Sequence, residues 1–148
     1  MCIRDSAESV AIYLGIVKAG CVVVGIADSF APDEIATRLR IGDAKAIFTQ
    51  DYINRAGKHL RLYEKVIAAD APKAIVFSCK GSDTVAQTQR EGDMTWQDFL
   101  SDTETFTAVP CHPDAHTNIL FSSGTTGEPK AIPWTHTCLL YTSDAADE

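Results

Sequence analysis

The feature that most constrains the fold of this chain is a repeated change of hydrophobic period. Short apolar runs, rich in β-branched residues, occur at Cys21–Ile26, Ala44–Thr49, Lys73–Cys79 and Asn118–Phe121. A strand that is apolar on both faces must be covered on both, which is the habit of parallel sheets. Between these runs the apolar residues fall into helical spacing. Such alternation predicts an α/β fold: a partial, mainly parallel sheet with flanking helices.

The helical stretches are specific enough to test. Ala7–Ala19 places Val10, Leu14 and Val17 on one face, with Tyr13 beside them and Gly20 as C-terminal cap. Pro32-Asp33-Glu34 suits the first turn of a second helix, where proline and acids are favoured. Ile35, Leu39 and Ile41 supply its apolar side, and Gly42 is expected to end it. Asp51–Ala69 reads as a third helical region, weakened at Gly57 and carried by Leu60, Tyr63 and Ile67. Met94–Ser101 is expected to hold a short helix with Trp96, Phe99 and Leu100 turned inward, and Ala131–Trp134 reads as one more strand. Lys80–Asp93 and Pro110–His116 read as loops.

Composition narrows the function. A chain of 148 residues with 45% hydrophobic content has room for one ordinary core. The net charge is −7 and no basic stripe occurs, which argues against a nucleic-acid partner. The longest apolar runs, Val10–Val17 and Cys21–Ala27, fall well short of the ~20 residues of a membrane span. No cysteine lies in a C-x-x-C pair, so neither a disulfide scaffold nor a zinc knuckle is expected. A reducing, cytoplasmic compartment is the default. Cys21 and Cys79 read as small buried hydrophobes. Cys111, His112 and His116 cluster but lack a fourth ligand, so no metal site is expected.

The two ends read differently from the rest. Met1-Cys2-Ile3-Arg4-Asp5 looks like the translation of a transposon-end tag used in sequencing libraries. Cys138-Leu139-Leu140-Tyr141-Thr142-Ser143 looks like its reverse complement, followed by adapter. The expected organisation is therefore tag at 1–6, native sequence at 7–137, and tag again at 138–148. On that reading Met1 is not a true start.

Chemistry concentrates in Ser122-Ser123-Gly124-Thr125-Thr126-Gly127-Glu128-Pro129-Lys130. Gly124 and Gly127 permit close backbone approach and unusual dihedrals. Exposed backbone N–H groups then bind phosphate oxygens. The hydroxyls of Ser122, Ser123, Thr125 and Thr126 add donors, and Lys130 adds a point charge. The run follows a strand, at whose carboxyl end the ligands of open α/β sheets bind. It is not the common P-loop, which needs Gly-Lys followed by a hydroxyl. Here Lys130 follows Pro129 and precedes Ala131. Without a Gly-x-Ser-x-Gly elbow, Ser123 is not read as a nucleophile.

This run resembles the signature of the AMP-forming adenylating superfamily: acyl-CoA synthetases, peptide-synthetase adenylation domains and luciferases. Every defined position matches. The likeness extends to the lead-in at Asp114–Phe121, to Thr135-His136, and to Lys18-Ala19-Gly20 before a strand. Phe30-Ala31, Asp33-Glu34-Ile35 and Arg38-Leu39 resemble the acetyl-CoA-synthetase-like branch in particular. Ala131, where many members have glycine, and Trp134 depart from the pattern.

The resemblance implies part of the large N-terminal domain of an adenylate-forming ligase. Its substrates are a small-molecule carboxylate, ATP with Mg2+, and coenzyme A. Ser122, Ser123, Gly124, Thr125, Thr126, Gly127 and Lys130 would hold the ATP phosphates, and His136 would lie toward the substrate. The metal ligand, the remainder of the domain and a C-terminal lid would lie outside this stretch. A peptide-synthetase domain and an inert truncated product are the alternative readings.

Overall fold

A computed structural model describes residues 7–55, 57–79, 89–122 and 127–139. The elements run α1 (Ala7–Lys18), β1 (Val23–Val24), α2 (Pro32–Ile41), β2 (Ala46–Gln50), β3 (Ile53–Arg55), β4 (Lys58–Leu60), α3 (Leu62–Ala68), β5 (Lys73–Phe77), β6 (Met94–Thr95), α4 (Trp96–Phe99), β7 (His116–Ser122) and β8 (Lys130–Thr135). The expected α/β arrangement is present. Strand β5 lies parallel between β2 and β6, and β1 lies parallel to β7. Antiparallel pairing joins β7 to β8 and β3 to β4.

The core forms where α2 and α3 cover one face of the β2–β5 sheet. Ile35, Leu39, Leu62, Tyr63 and Val66 pack there with Ile26, Ile47, Ala74 and Val76. On β2, Ile47 and Thr49 alternate inward while Phe48 faces the other side. There Trp96 stacks on Phe77 with centroids 4.2 Å apart, and Phe99 meets Phe48 edge-on at 5.2 Å. Phe99 and Leu100, both expected to point inward, remain exposed. The four-residue helix ends at Phe99 and Leu100 is already extended.

Helices α1, α2 and α3 end alike. In each, a left-handed residue lets the next amide reach back five residues: Cys21 to Ile16, Ala44 to Leu39, and Ala71 to Val66. The left-handed residues are Gly20, Asp43 and Asp70, in a Schellman arrangement. Gly42 ends α2 as expected, as a C-cap at φ −80, and the left-handed step falls one residue later on Asp43. Its small size serves another end: a Cβ there would meet a Val24 methyl at 2.9 Å. The C-terminus of α2 thus lies close against β1. At the other end, Glu34 reaches back to the Ala31 amide at 2.9 Å.

The structure corrects several expectations. The Asp51–Ala69 region is not one helix. Ile53–Arg55 and Lys58–Leu60 pair as the antiparallel strands β3 and β4, and only Leu62–Ala68 is helical. Gly57 is left-handed at φ 75. Asp51 holds the Tyr52 and Cys79 amides at 2.7 and 3.1 Å, competing with a helical start. On α1 the buried residues are Ser9 and Ile12, whereas Val10 and Leu14 are 59% and 52% exposed. The helix is apolar on more than one side, and the Ser9–Ile12 side packs on the molecule. Of Cys21–Ile26 only Val23–Val24 is strand. Cys21 and Cys79 are exposed rather than buried. The tag-like ends at 1–6 and 140–148, and most of the Lys80–Asp93 loop, fall outside the described residues.

Candidate nucleotide-phosphate site

Strands β7 and β8 are the two arms of a hairpin, and the Ser/Thr/Gly run is its connection. Ser122 closes β7 and Lys130 opens β8, and their Cα positions are register partners. The run is thereby anchored on a backbone rung at both ends. Ser123, Gly124, Thr125 and Thr126 lie outside the described residues. Gly127 has φ 120, in a region L side chains rarely adopt, with open space where a Cβ would stand. Lys130 is exposed and forms no ion pair with any described residue. An anion at this rung therefore meets a lysine whose charge is not already spent on a carboxylate.

Helix α2 borders the same end of the hairpin. Arg40 Nη2 lies 2.5 Å from Glu128 Oε1, between two well-exposed side chains. Arg38, in the second turn of α2, is 8% exposed. Its guanidinium carbon stands 3.7 Å from the Phe30 ring centre and 5.6 Å from that of Phe121. One Nη donates to the Glu34 carbonyl at 2.9 Å, while Nε is buried without a hydrogen-bond partner. Lys65 secures the Phe30 turn by donating to the carbonyls of Asp28 and Phe30, each at 3.0 Å. Arg55 of the β3–β4 hairpin adds bonds of 3.1 and 3.2 Å to the Asp28 carboxylate.

His136 is not at this end. Its amide donates to Ala115 O at 3.2 Å, and it opens a helical turn whose Thr135 hydroxyl accepts from the Cys138 amide at 3.2 Å. Thr135 pairs with His116, at the far end of the β7–β8 ladder from Lys130. At strand spacing that is roughly 17 Å from Lys130. The loop and His136 thus flank a strand rather than meet. His112 and His116 are both exposed, and among the described residues no group of three or more His, Cys, Asp or Glu is placed to hold a metal.

With this geometry in view, the model for the family described as AMP-binding enzyme matches residues 1–147. The chain belongs to the AMP-binding enzyme family. Among curated proteins, this AMP-binding chain is 56% identical over 133 residues to "Hexanoyl-CoA synthase" of Cannabis sativa, covering 86% of the chain. It is 55% identical over 134 residues to "Probable acyl-activating enzyme 17, peroxisomal" of Arabidopsis thaliana, covering 87% of the chain. The AMP-binding chain spans 18% of the length of each of these relatives. Among solved structures, the anthranilate CoA ligase AuaEII in complex with anthranoyl-AMP superposes with a TM-score of 0.77 at 26% identity. The match covers 97% of this chain and 26% of that one. These likenesses join the chain to relatives whose names speak of acyl activation and CoA ligation.

Sequence reasoning missed Arg38 and Arg40 as neighbours of the loop. One signal was present: Arg38 stands between Ile35 and Leu39 on the apolar side of α2, where a charge is out of place. It also missed the clamp built by Tyr63, Arg90 and Asp93, since Tyr63 is far in the chain from the Arg90–Asp93 pair and only folding joins them.

Proposed function

We propose that this segment grips the phosphates of ATP in an AMP-forming acyl-CoA synthetase. The observation that supports it most is the Ser122–Lys130 rung, which sets a left-handed Gly127 and a lysine without an ion pair among the described residues at a strand's end. In this reading Ser122, Ser123, Gly124, Thr125, Thr126, Gly127 and Lys130 hold the β- and γ-phosphates. A carboxylate oxygen attacks the α-phosphorus, the bond to the β-phosphate's bridging oxygen breaks, and pyrophosphate leaves. Lys130 and the hydroxyls act as charge clamps on that leaving group, not as nucleophiles. The thiol of coenzyme A then attacks the acyl carbonyl, losing its proton, and AMP departs.

Mg2+ accompanies ATP in this scheme, but the described residues do not fit a metal site. Glu128, the carboxylate beside the loop, is engaged by Arg40. No step is therefore assigned to the metal here. The names of the relatives favour a CoA ligase over a peptide-synthetase domain and suggest a short or medium aliphatic acid. His136 is read as lying toward that acid. A cytoplasmic location is the default reading, although two relatives are named peroxisomal. Among the described residues no helix is long and apolar enough to cross a membrane.

The test is carboxylate-dependent exchange between ATP and pyrophosphate by the full-length enzyme that carries this segment. Lys130→Ala is expected to lower the exchange rate by about 100-fold. Full exchange in that variant overturns the reading. The 148-residue chain by itself is expected to form no acyl-CoA. Turnover from it alone overturns the view that the loop needs the rest of the enzyme.

A further inference from the structure

Arg38 presents a cost without an evident return. Arg38 is 8% exposed as a residue and its Nε is buried, yet no described carboxylate pairs with it and Nε has no hydrogen-bond partner among the described residues. Burying a charge is normally compensated by an opposite charge and full hydrogen bonding. Here the compensation is one carbonyl, from Glu34, and two aromatic rings. Cation–π contact offsets only part of the desolvation. An apolar residue between Ile35 and Leu39 would satisfy the core more simply.

The location suggests what the charge does. Phe121 directly precedes Ser122, whose register partner is Lys130. Glu128, the carboxylate beside the loop, is taken up by Arg40 and so does not neutralise Arg38. We propose that Arg38 is a positioning residue for the nucleotide's polyphosphate. It packs against Phe121, so fixing the Ser122–Lys130 rung, and it leaves an uncancelled positive charge beside that rung. The inference rests on the phosphate-gripping reading above and deepens it. Low surrounding polarity makes such a charge act over a longer distance than one in water. It touches no substrate; it acts through Phe121 and through its field.

The experiment compares Arg38→Met, Arg38→Lys and Lys130→Ala in the full-length enzyme, using ATP–pyrophosphate exchange. Arg38→Met keeps an apolar stem and removes the charge. It is expected to raise KM for ATP about 10-fold while KM for the carboxylate stays within about 2-fold. Arg38→Lys retains the charge and is expected to recover KM for ATP to within about 3-fold of the parent. An unchanged KM for ATP in Arg38→Met overturns the proposal. So does an equal rise in both KM values that Arg38→Lys does not rescue. If Arg38→Met fails to fold, Phe121→Leu decides, with a rise in KM for ATP expected and no change counting against the proposal. Lys130→Ala separates the two levels. If it disturbs ATP binding and Arg38→Met does not, only this inference falls. If neither does, the phosphate-gripping reading falls and takes the inference with it.

Discussion

The Tyr63 hydroxyl donates to an Asp93 carboxylate oxygen at 2.8 Å across 30 positions of sequence, joining α3 to the segment that leads into β6. Asp93 is 1% exposed at its side chain and also accepts from Arg90 at 3.0 and 3.1 Å and from the Ala74 amide at 2.8 Å. Arg90 in turn donates to the carbonyls of Ala71 and Pro72 at 2.8 and 3.0 Å. Each member has partners, so this clamp stabilises where a half-satisfied one would not.

The clamp makes stability depend on pH with a definite sign. Burial alone would push the Asp93 carboxyl up, but Arg90, the Ala74 amide and Tyr63 together hold it below its usual value. A folded value below the unfolded one gives stability that is complete above the ordinary carboxylate pKa of about 4. That stability is lost as pH falls through the folded value. Amide exchange of the β5 strand, followed by mass spectrometry at pH 7 and in acid, should show the protection failing in acid. Asp93→Ala should remove about 3 kcal/mol of local protection at pH 7, because it strands Arg90. Tyr63→Phe should remove about 1 kcal/mol. Equal protection in Asp93→Ala and the parent would refute the clamp.

Two glycines should fail for different reasons. At Gly42 the backbone is ordinary, but an added Cβ meets Val24 at 2.9 Å and the Arg38 carbonyl at 3.2 Å. Gly42→Ala should therefore cost about 1–3 kcal/mol of stability by overpacking, despite alanine's helical preference. At Gly127 there is space but φ is 120. Gly127→Ala should leave the melting temperature nearly unchanged and raise KM for ATP, since the strain falls on the loop. Thermal melts and exchange kinetics on the same pair of variants check both halves. A destabilised Gly127→Ala with normal ATP kinetics would reverse the assignment.

How much was legible follows from which signals are local. The α/β architecture could be read because buried strands such as Ala74–Val76 and Ile47–Thr49 are short apolar runs with their own length and composition. The Ser122–Lys130 run could be picked out as a unit because its residues are adjacent in sequence. The β3–β4 hairpin was lost because Leu60, Tyr63 and Ile67 mimic helical spacing across its second strand. The α1 face was lost because Val10–Leu14 and Ile12–Ile16 are both apolar stripes, and spacing does not say which meets the sheet. Arg38, Arg40 and Arg55 acquire meaning only from partners distant in the chain, Phe121, Glu128 and Asp28.

His136 offers a test of the site's polarity. It directly follows Thr135, which lies at the opposite end of β8 from Lys130, roughly 17 Å away at strand spacing. His136→Ala should leave KM for ATP within about 2-fold while changing KM for the carboxylate. A rise in KM for ATP alone would place the imidazole with the phosphates and contradict the hairpin geometry.

The cysteines should differ in reactivity although Cys21, Cys79, Cys111 and Cys138 are all exposed residues. The thiol of Cys79 is turned in to donate to the Tyr52 carbonyl at 2.8 Å, near Asp51. Partial burial first, then the Asp51 carboxylate, pushes its pKa up to about 11. Cys138 is shifted the other way, held down chiefly by the Thr135 hydroxyl, which donates to its sulfur at 3.3 Å. Because the thiolate is the nucleophile, alkylation at pH 8 should be slower at Cys79 than at Cys138. Raising the pH toward 11 should accelerate Cys79 more than Cys138, as its thiolate fraction has further to climb. Timed iodoacetamide labelling with peptide mass mapping gives the order directly. Cys79 labelling as fast as Cys138 at pH 8 would mean that its thiol faces solvent and that the Asp51–Cys79 contact is not formed.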